Sequence, residues 1–217
     1  MKKIMYNDSY GLTQAVIDGL KTSTRRKIPF DLVDLRDNSP ISVTDVFYKN
    51  GAWFIRLNNN RRPHPMPKSF LPKYQIGEIV AIAQSYKTID SLHRRGKTAA
   101  YLEYLDSVLP EMKNLAGWNN KMFVKAKLMP YKIRITDVKV ERLQDISDDD
   151  CMKEGIQKGR VGSLETHFMD TYYPCNRKLE PCCLPRDAFE LLIDGVSGDG
   201  TWGSNPFVWV YEFELIN

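Results

Sequence analysis

Gly19-Leu20-Lys21-Thr22-Ser23-Thr24-Arg25-Arg26 sets a helix stop, a lysine, three hydroxyls and two arginines side by side. Leu12, Val16, Ile17 and Leu20 recur at helical spacing just before it, which predicts a helix over about residues 11–19 that ends at Gly19. A loop leaving that helix would aim several donors at one spot. Lys21 supplies a mobile ammonium, and Arg25 and Arg26 supply planar forks suited to a phosphate or a carbonyl oxygen. Thr22, Ser23 and Thr24 can orient a substrate, or one of them can act as a nucleophile beside a base. On spacing alone, a basic solvated turn behind a surface helix fits equally well.

Outward from this stretch, the elements alternate between strands and helices. Ala52–Leu57 reads as a short strand with Val43–Tyr48 as its partner, and Asn58–Lys68 as a polar loop broken by prolines. Arg61 and Arg62 in that loop can touch phosphate, or simply mark a solvated tip. Ile79–Tyr86 has the β-branched, apolar character of a buried strand. Ala99, Leu102, Leu105 and Leu109 predict a helix that Pro110 stops, and the basic run His93–Lys97 before it reads as surface charge. Met122–Lys127 reads as a strand. In Tyr131–Leu143, Ile133 and Ile135 fall in one phase and Val138 and Val140 in the other, so a β-bulge or bend is expected at Thr136-Asp137.

Ser147, with Asp150 three residues on, predicts a capped helix over about 148–154 that stops near Gly155. Glu154 closes it, in the unfavourable field of a helix C-terminus, a setting that a general base can use and an idle surface glutamate can also occupy. Residues 157–184 read as a long irregular loop. Pro185 opens a helix through Phe189, Leu192 and Ile193 that is expected to end at Gly195. Phe207, Trp209, Tyr211, Phe213 and Leu215 share one face of a final strand, as core packing in preference to a base-stacking stripe.

Composition bounds the function classes. The chain has 217 residues, 42% hydrophobic and 27% charged, as in ordinary globular domains. Its net charge of +4 permits nucleic-acid binding without demanding it. No apolar run approaches the roughly 18 residues of a membrane helix. The N-terminal lysines have no apolar segment behind them, so a cytoplasmic location is expected. His167, Cys175, Cys182 and Cys183 form a loose cluster with ligand chemistry for zinc, but without a Cys-x-x-Cys pair, so free thiols are the better reading and no metal or other cofactor is expected. Cys151 reads as a small core residue.

Four motifs together resemble the ASCH-domain family of the PUA-like group. Gly19-x-Lys21-x-x-Thr24-x-Arg26 is similar to its Gly-x-Lys-x-x-(Glu or Thr)-x-Arg loop, and Tyr74–Val80 to its glycine–acid strand entry. The run Ile135–Ile156 resembles its central strand and following helix, and Trp202-x-x-Asn205-Pro206-x-x-Trp209-Val210 its closing strand in bacterial and phage members. The resemblance implies an α+β fold, a single domain over residues 1–217 built on a PUA-like β-barrel with helices capping its ends. It leaves insertions near 30–73, 87–120 and 157–184. It implies RNA or a modified nucleoside as partner, with an RNA- or nucleotide-binding protein as the broader expectation. The alternative is an amidohydrolase on N(4)-acetylcytidine or a related nucleoside. By motif, Lys21, Thr24 and Glu154 would then be catalytic, with Arg25, Arg26, Arg61 and Arg62 binding the ligand. Thr24 would attack or orient water, Lys21 would take the proton, and Glu154 would pair with Lys21 or shuttle the proton. Lys21 and Glu154 could equally be a salt bridge that pins the loop. A binding module requires Arg61-Arg62 and Arg94-Arg95 in the same groove as Lys21. A hydrolase requires a small closed pocket with Lys21, Thr24 and Glu154 within mutual reach.

Overall fold

A computed structural model describes residues 1–34, 36–94, 111–163, 167–174 and 180–216, with the side chains of Arg61, His93 and Arg94 outside the description. In chain order its elements are β1 (Lys3–Ile4), α1 (Leu12–Ile17), β2 (Ser23–Lys27), β3 (Leu32–Val33), β4 (Pro40–Ile41), β5 (Val43–Lys49), β6 (Ala52–Leu57), β7 (Asn60–Pro65), β8 (Ile79–Ile82) and α2 (Tyr86–Arg94). They continue with β9 (Lys132–Arg142), α3 (Asp148–Lys153), β10 (Gln157–Ser163), β11 (His167–Tyr173), α4 (Pro185–Ser197), α5 (Thr201–Ser204) and β12 (Phe207–Ile216). The fold is mixed α+β.

A five-stranded sheet in the order β1-β8-β9-β12-β2 organises the molecule. Its centre is the long antiparallel pair β9 and β12. Asp137 sits opposite Glu212 and Ile135 opposite Phe213, so Thr136 is the extra residue of a β-bulge where the phase switch predicts one. Among the described residues no ladder joins β1 to β2, and the sheet is open.

β5, β6 and β7 form a separate antiparallel sheet. Asn50 (φ 50°) and Gly51 (φ 80°) make the β5–β6 turn, the left-handed pair that a two-residue hairpin demands. The polar segment read as a loop is mostly strand: β7 carries Pro63 and Pro65, tolerated because it is an edge strand with no ladder on its outer side. This small sheet lies against the large one through Trp53 and Trp209, whose rings meet edge to face at 4.6 Å.

Other expectations need correction. Met122–Lys127 is not a strand; Lys121–Phe123 and Ala126–Leu128 are single 3-10 turns, and Asn120 caps the first through the Met122 amide. Residues 157–184 are not irregular throughout, since β10 and β11 pair in register from Gln157–Tyr173 to Ser163–His167. α4 does not stop at Gly195 but runs to Ser197, and Gly198 follows it. Gly195 is instead a close contact, because a Cβ there would lie 2.0 Å from the Tyr10 hydroxyl. The helix expected over 98–109 lies outside the described residues.

The core follows from burial on both sides of the large sheet. β12 is buried on both faces from Phe207 to Tyr211, so its even-numbered residues are core as well as the aromatic stripe. Val80 and Ile82 join the main core, while Ala81 on the other face of β8 and Ala83 just beyond it pack with Tyr86, Ile89 and Met129 in a second cluster. No described helix is long and apolar enough to cross a membrane.

Candidate functional site

The Gly19 stretch splits into a short connection and a strand. α1 ends at Ile17, and Gly19 takes the left-handed conformation (φ 73°) that turns the chain, as the glycine stop predicts. Leu20 and Lys21 both donate their amides to the Ala15 carbonyl. Thr22 donates its amide to Lys153 of α3 and accepts from the Phe213 amide of β12, which fastens the connection at both ends. From Ser23 onward the chain is β2, so Thr24, Arg25 and Arg26 stand on a strand and not on a loop.

Register then sorts the side chains. Arg25 lies opposite Val210, which lies opposite Lys139, so these share one sheet face with Glu141. Thr24 and Arg26 fall on the other face with Tyr211 and Trp209. α3 covers the Arg25 face. Ser147 caps α3 by accepting from the Asp150 amide, half of the predicted capping box, while the Asp150 carboxylate turns to Lys153 and Arg25.

At the C-terminal end of α3, Glu154 meets Lys21. The Lys21 ammonium donates to the Glu154 carboxylate at 2.5 Å and to the Glu154 backbone carbonyl at 2.8 Å. Their side chains are 2% and 5% exposed, and charges this deep must be paired to persist. Arg25 reaches the other oxygen of the same carboxylate at 3.1 Å and holds Glu141 Oε1 through Nε at 2.9 Å and Nη2 at 2.6 Å. Burial opposes the Arg25 charge, but Glu154 and Glu141 outweigh it and raise its pKa above the ordinary value. Lys139 and Lys153 extend the network to Glu141, Asp150 and Glu212.

Lys21, Thr24, Arg25, Arg26 and Glu154 line one cavity of about 80 Å³, with Tyr6 and one face of α4 also in its wall. Arg26 leans over the Tyr6 ring at 5.6 Å and donates to the Met5 carbonyl. A second pocket of about 320 Å³ adjoins it and shares Arg26 and Lys27, with Lys73 on its rim and Tyr74, Trp209 and Tyr211 beneath.

Of the residues singled out in the sequence, Lys21, Thr24, Arg25, Arg26 and Glu154 come together. Arg62 is exposed on β7 and lines neither pocket. The side chains of Arg61 and Arg94, and Arg95 entirely, lie outside the described residues. Cys151 is buried as expected. Among the described residues, His167, Cys182 and Cys183 form no cluster that could hold a metal, and Cys175 lies outside them. Glu141 and Tyr6 went unnoticed in the sequence, and Asp150 was read only as part of the helix cap. A buried arginine on an edge strand requires carboxylates, and the acidic residues that flank Ser147 were the available signal.

Compared with protein-family models, curated proteins and solved structures, the chain matches none.

Proposed function

We propose that this chain is an ASCH-type nucleoside amidohydrolase that removes a small acyl group from the exocyclic nitrogen of a modified cytidine. One observation carries the reading: Lys21, Thr24 and Glu154 line a single cavity, with Lys21 and Glu154 2.5 Å apart. A volume of about 80 Å³ suits an acyl group and leaves the sugar outside. The PUA-like barrel belongs to the same proposal, supported by the two sheets facing each other across Trp53 and Trp209.

The chemistry uses the pair as a proton relay. Passing the Lys21 proton to Glu154 across their 2.5 Å contact leaves an amine that can accept a proton. Thr24 Oγ then attacks the acyl carbon while its proton goes to the Lys21 amine. Lys21 returns that proton to the departing nitrogen, and cytidine leaves. Water then attacks the acyl carbon and gives its proton to the Lys21 amine, which passes it to Thr24 Oγ as the C–Oγ bond breaks and the acyl group leaves as a carboxylic acid.

A second reading has its own support. The adjoining 320 Å³ pocket carries Arg26, Lys27 and Lys73 and, among the described residues, no carboxylate in its lining, which suits a phosphate. In that reading the chain binds RNA or a nucleotide without chemistry, and Lys21 and Glu154 pin β2 to α3. Incubation with N(4)-acetylcytidine, followed by chromatography for cytidine beside a Lys21→Ala control, tests the two. Cytidine release that the variant abolishes supports hydrolysis. No release, with RNA affinity that falls steeply with salt, replaces it by the binding reading.

A further inference from the structure

Tyr6 is 4% exposed, and among the described residues its hydroxyl is buried without a hydrogen-bond partner. The rest of the residue is well used. Its ring packs on Phe213 with centroids 6.1 Å apart, Arg26 lies over it at 5.6 Å, and its carbonyl accepts from Lys121. A phenylalanine would serve all three contacts. The hydroxyl alone gives the fold nothing in return for its desolvation. It belongs to a residue in the wall of the cavity that holds Lys21, Thr24 and Glu154.

Three of the cationic donors in that cavity are already engaged. Lys21 donates twice to Glu154, and Arg25 is spread over Glu141, Glu154 and Asp150. Arg26 is turned to the Met5 carbonyl. An amide entering beside Thr24 brings an acceptor oxygen whose charge grows as the carbon becomes tetrahedral, and such an oxygen needs a donor fixed in advance.

We propose that Tyr6 is that donor, a catalytic residue whose hydroxyl binds the acyl oxygen of the substrate. As the Thr24 Oγ–carbon bond forms, the carbonyl π pair moves to oxygen, and that oxygen accepts the Tyr6 hydrogen bond without taking its proton. The C–N bond then breaks with the Lys21 proton going to nitrogen, and the carbonyl reforms. Burial pushes the Tyr6 phenol well above its ordinary pKa, against the pull of Arg26, so it remains a donor throughout the neutral range. This assignment rests on the amidohydrolase reading.

The test is Tyr6→Phe beside the unaltered protein, with N(4)-acetylcytidine and cytidine as probes. The expected result is an unchanged or higher Tm, kcat lower by about 10²–10³, and KM nearly unchanged. Equal kcat overturns the proposal, and so does lost activity accompanied by a lower Tm, which would make Tyr6 structural. If the unaltered protein shows no turnover, the amidohydrolase reading fails by itself and binding decides Tyr6. Weaker binding of N(4)-acetylcytidine but not of cytidine in Tyr6→Phe keeps the acyl-oxygen contact, while equal effects on both, or no binding of either, overturn it.

Discussion

Replacing Lys21 with methionine tests whether the buried pair serves the fold or the site. The substitution keeps the length of the stem and removes the ammonium, so Glu154 loses its 2.5 Å donor and the donor to its backbone carbonyl. Breaking a buried ion pair from one side costs about 3–5 kcal/mol, because the remaining charge stays desolvated. Here Arg25 still reaches Glu154 at 3.1 Å. The expected cost therefore falls below that range, at about 2–3 kcal/mol. For a chain of this length each kcal/mol moves the midpoint by about 2–4 °C, which gives a fall of roughly 4–12 °C in a thermal melt. The double variant Lys21→Met/Glu154→Leu removes both charges and leaves Arg25 with Glu141 and Asp150. Its Tm should return to the unaltered value or exceed it, as apolar replacement of buried pairs commonly does. Recovery in the double variant would mean that the pair is kept at a cost to stability, which a clamp does not require and a proton relay does. A Tm unmoved by Lys21→Met, or a double variant no better than the single, would refute this reasoning.

Three further outcomes are expected. Burial works against the charge of Asp150, but the hydrogen bond from Lys153 and the charges of Arg25 and Lys139 win and lower its pKa. A lowered carboxyl stabilises the fold above the unfolded value of about 4 and loses that contribution as pH falls through the folded value, so Asp150→Asn should flatten the loss of stability below about pH 4 in acid titrations followed by circular dichroism. Burial also pushes the Cys151 thiol up to about 12, so alkylation mapped by mass spectrometry should label the exposed Cys183 in native protein and Cys151 only after denaturation. Gly195→Ala should destabilise by about 1–3 kcal/mol in chemical denaturation, since its Cβ would fall 2.0 Å from the Tyr10 hydroxyl, and a second change of Tyr10→Ser should recover the loss.

Signals confined to neighbouring residues were legible in the sequence. The glycine turn at Gly19, the Ser147 cap and the bulge at Thr136 each rest on a few adjacent side chains. The strands that escaped notice lack the alternation that marks a half-buried strand. β10 and β11 are mostly exposed, and β7 is polar and proline-bearing at a sheet edge. Met122 and Phe123 gave a false strand signal because they are apolar yet 58% and 62% exposed. For the site, motif placed Lys21, Thr24 and Glu154, but it could not show that Arg25 is bound by carboxylates from β9 and α3. That depends on register across β12, which no local pattern encodes. Tyr6 was invisible for a related reason: an unused hydroxyl can be recognised only once every possible partner has been located.

The separation of Lys21 and Glu154 also orders events during synthesis. They stand 133 positions apart, and among the described residues β2 joins the large sheet only through β12, made later than either. At about 5–20 residues per second, Lys21 would wait roughly 7–27 s on the ribosome before its glutamate exists, and longer for the strand that seats them both. A nascent chain therefore carries the lysine and the threonine before the cavity they line exists. The cavity arises late, as a product of finished folding, and its appearance reports that the sheet has been assembled.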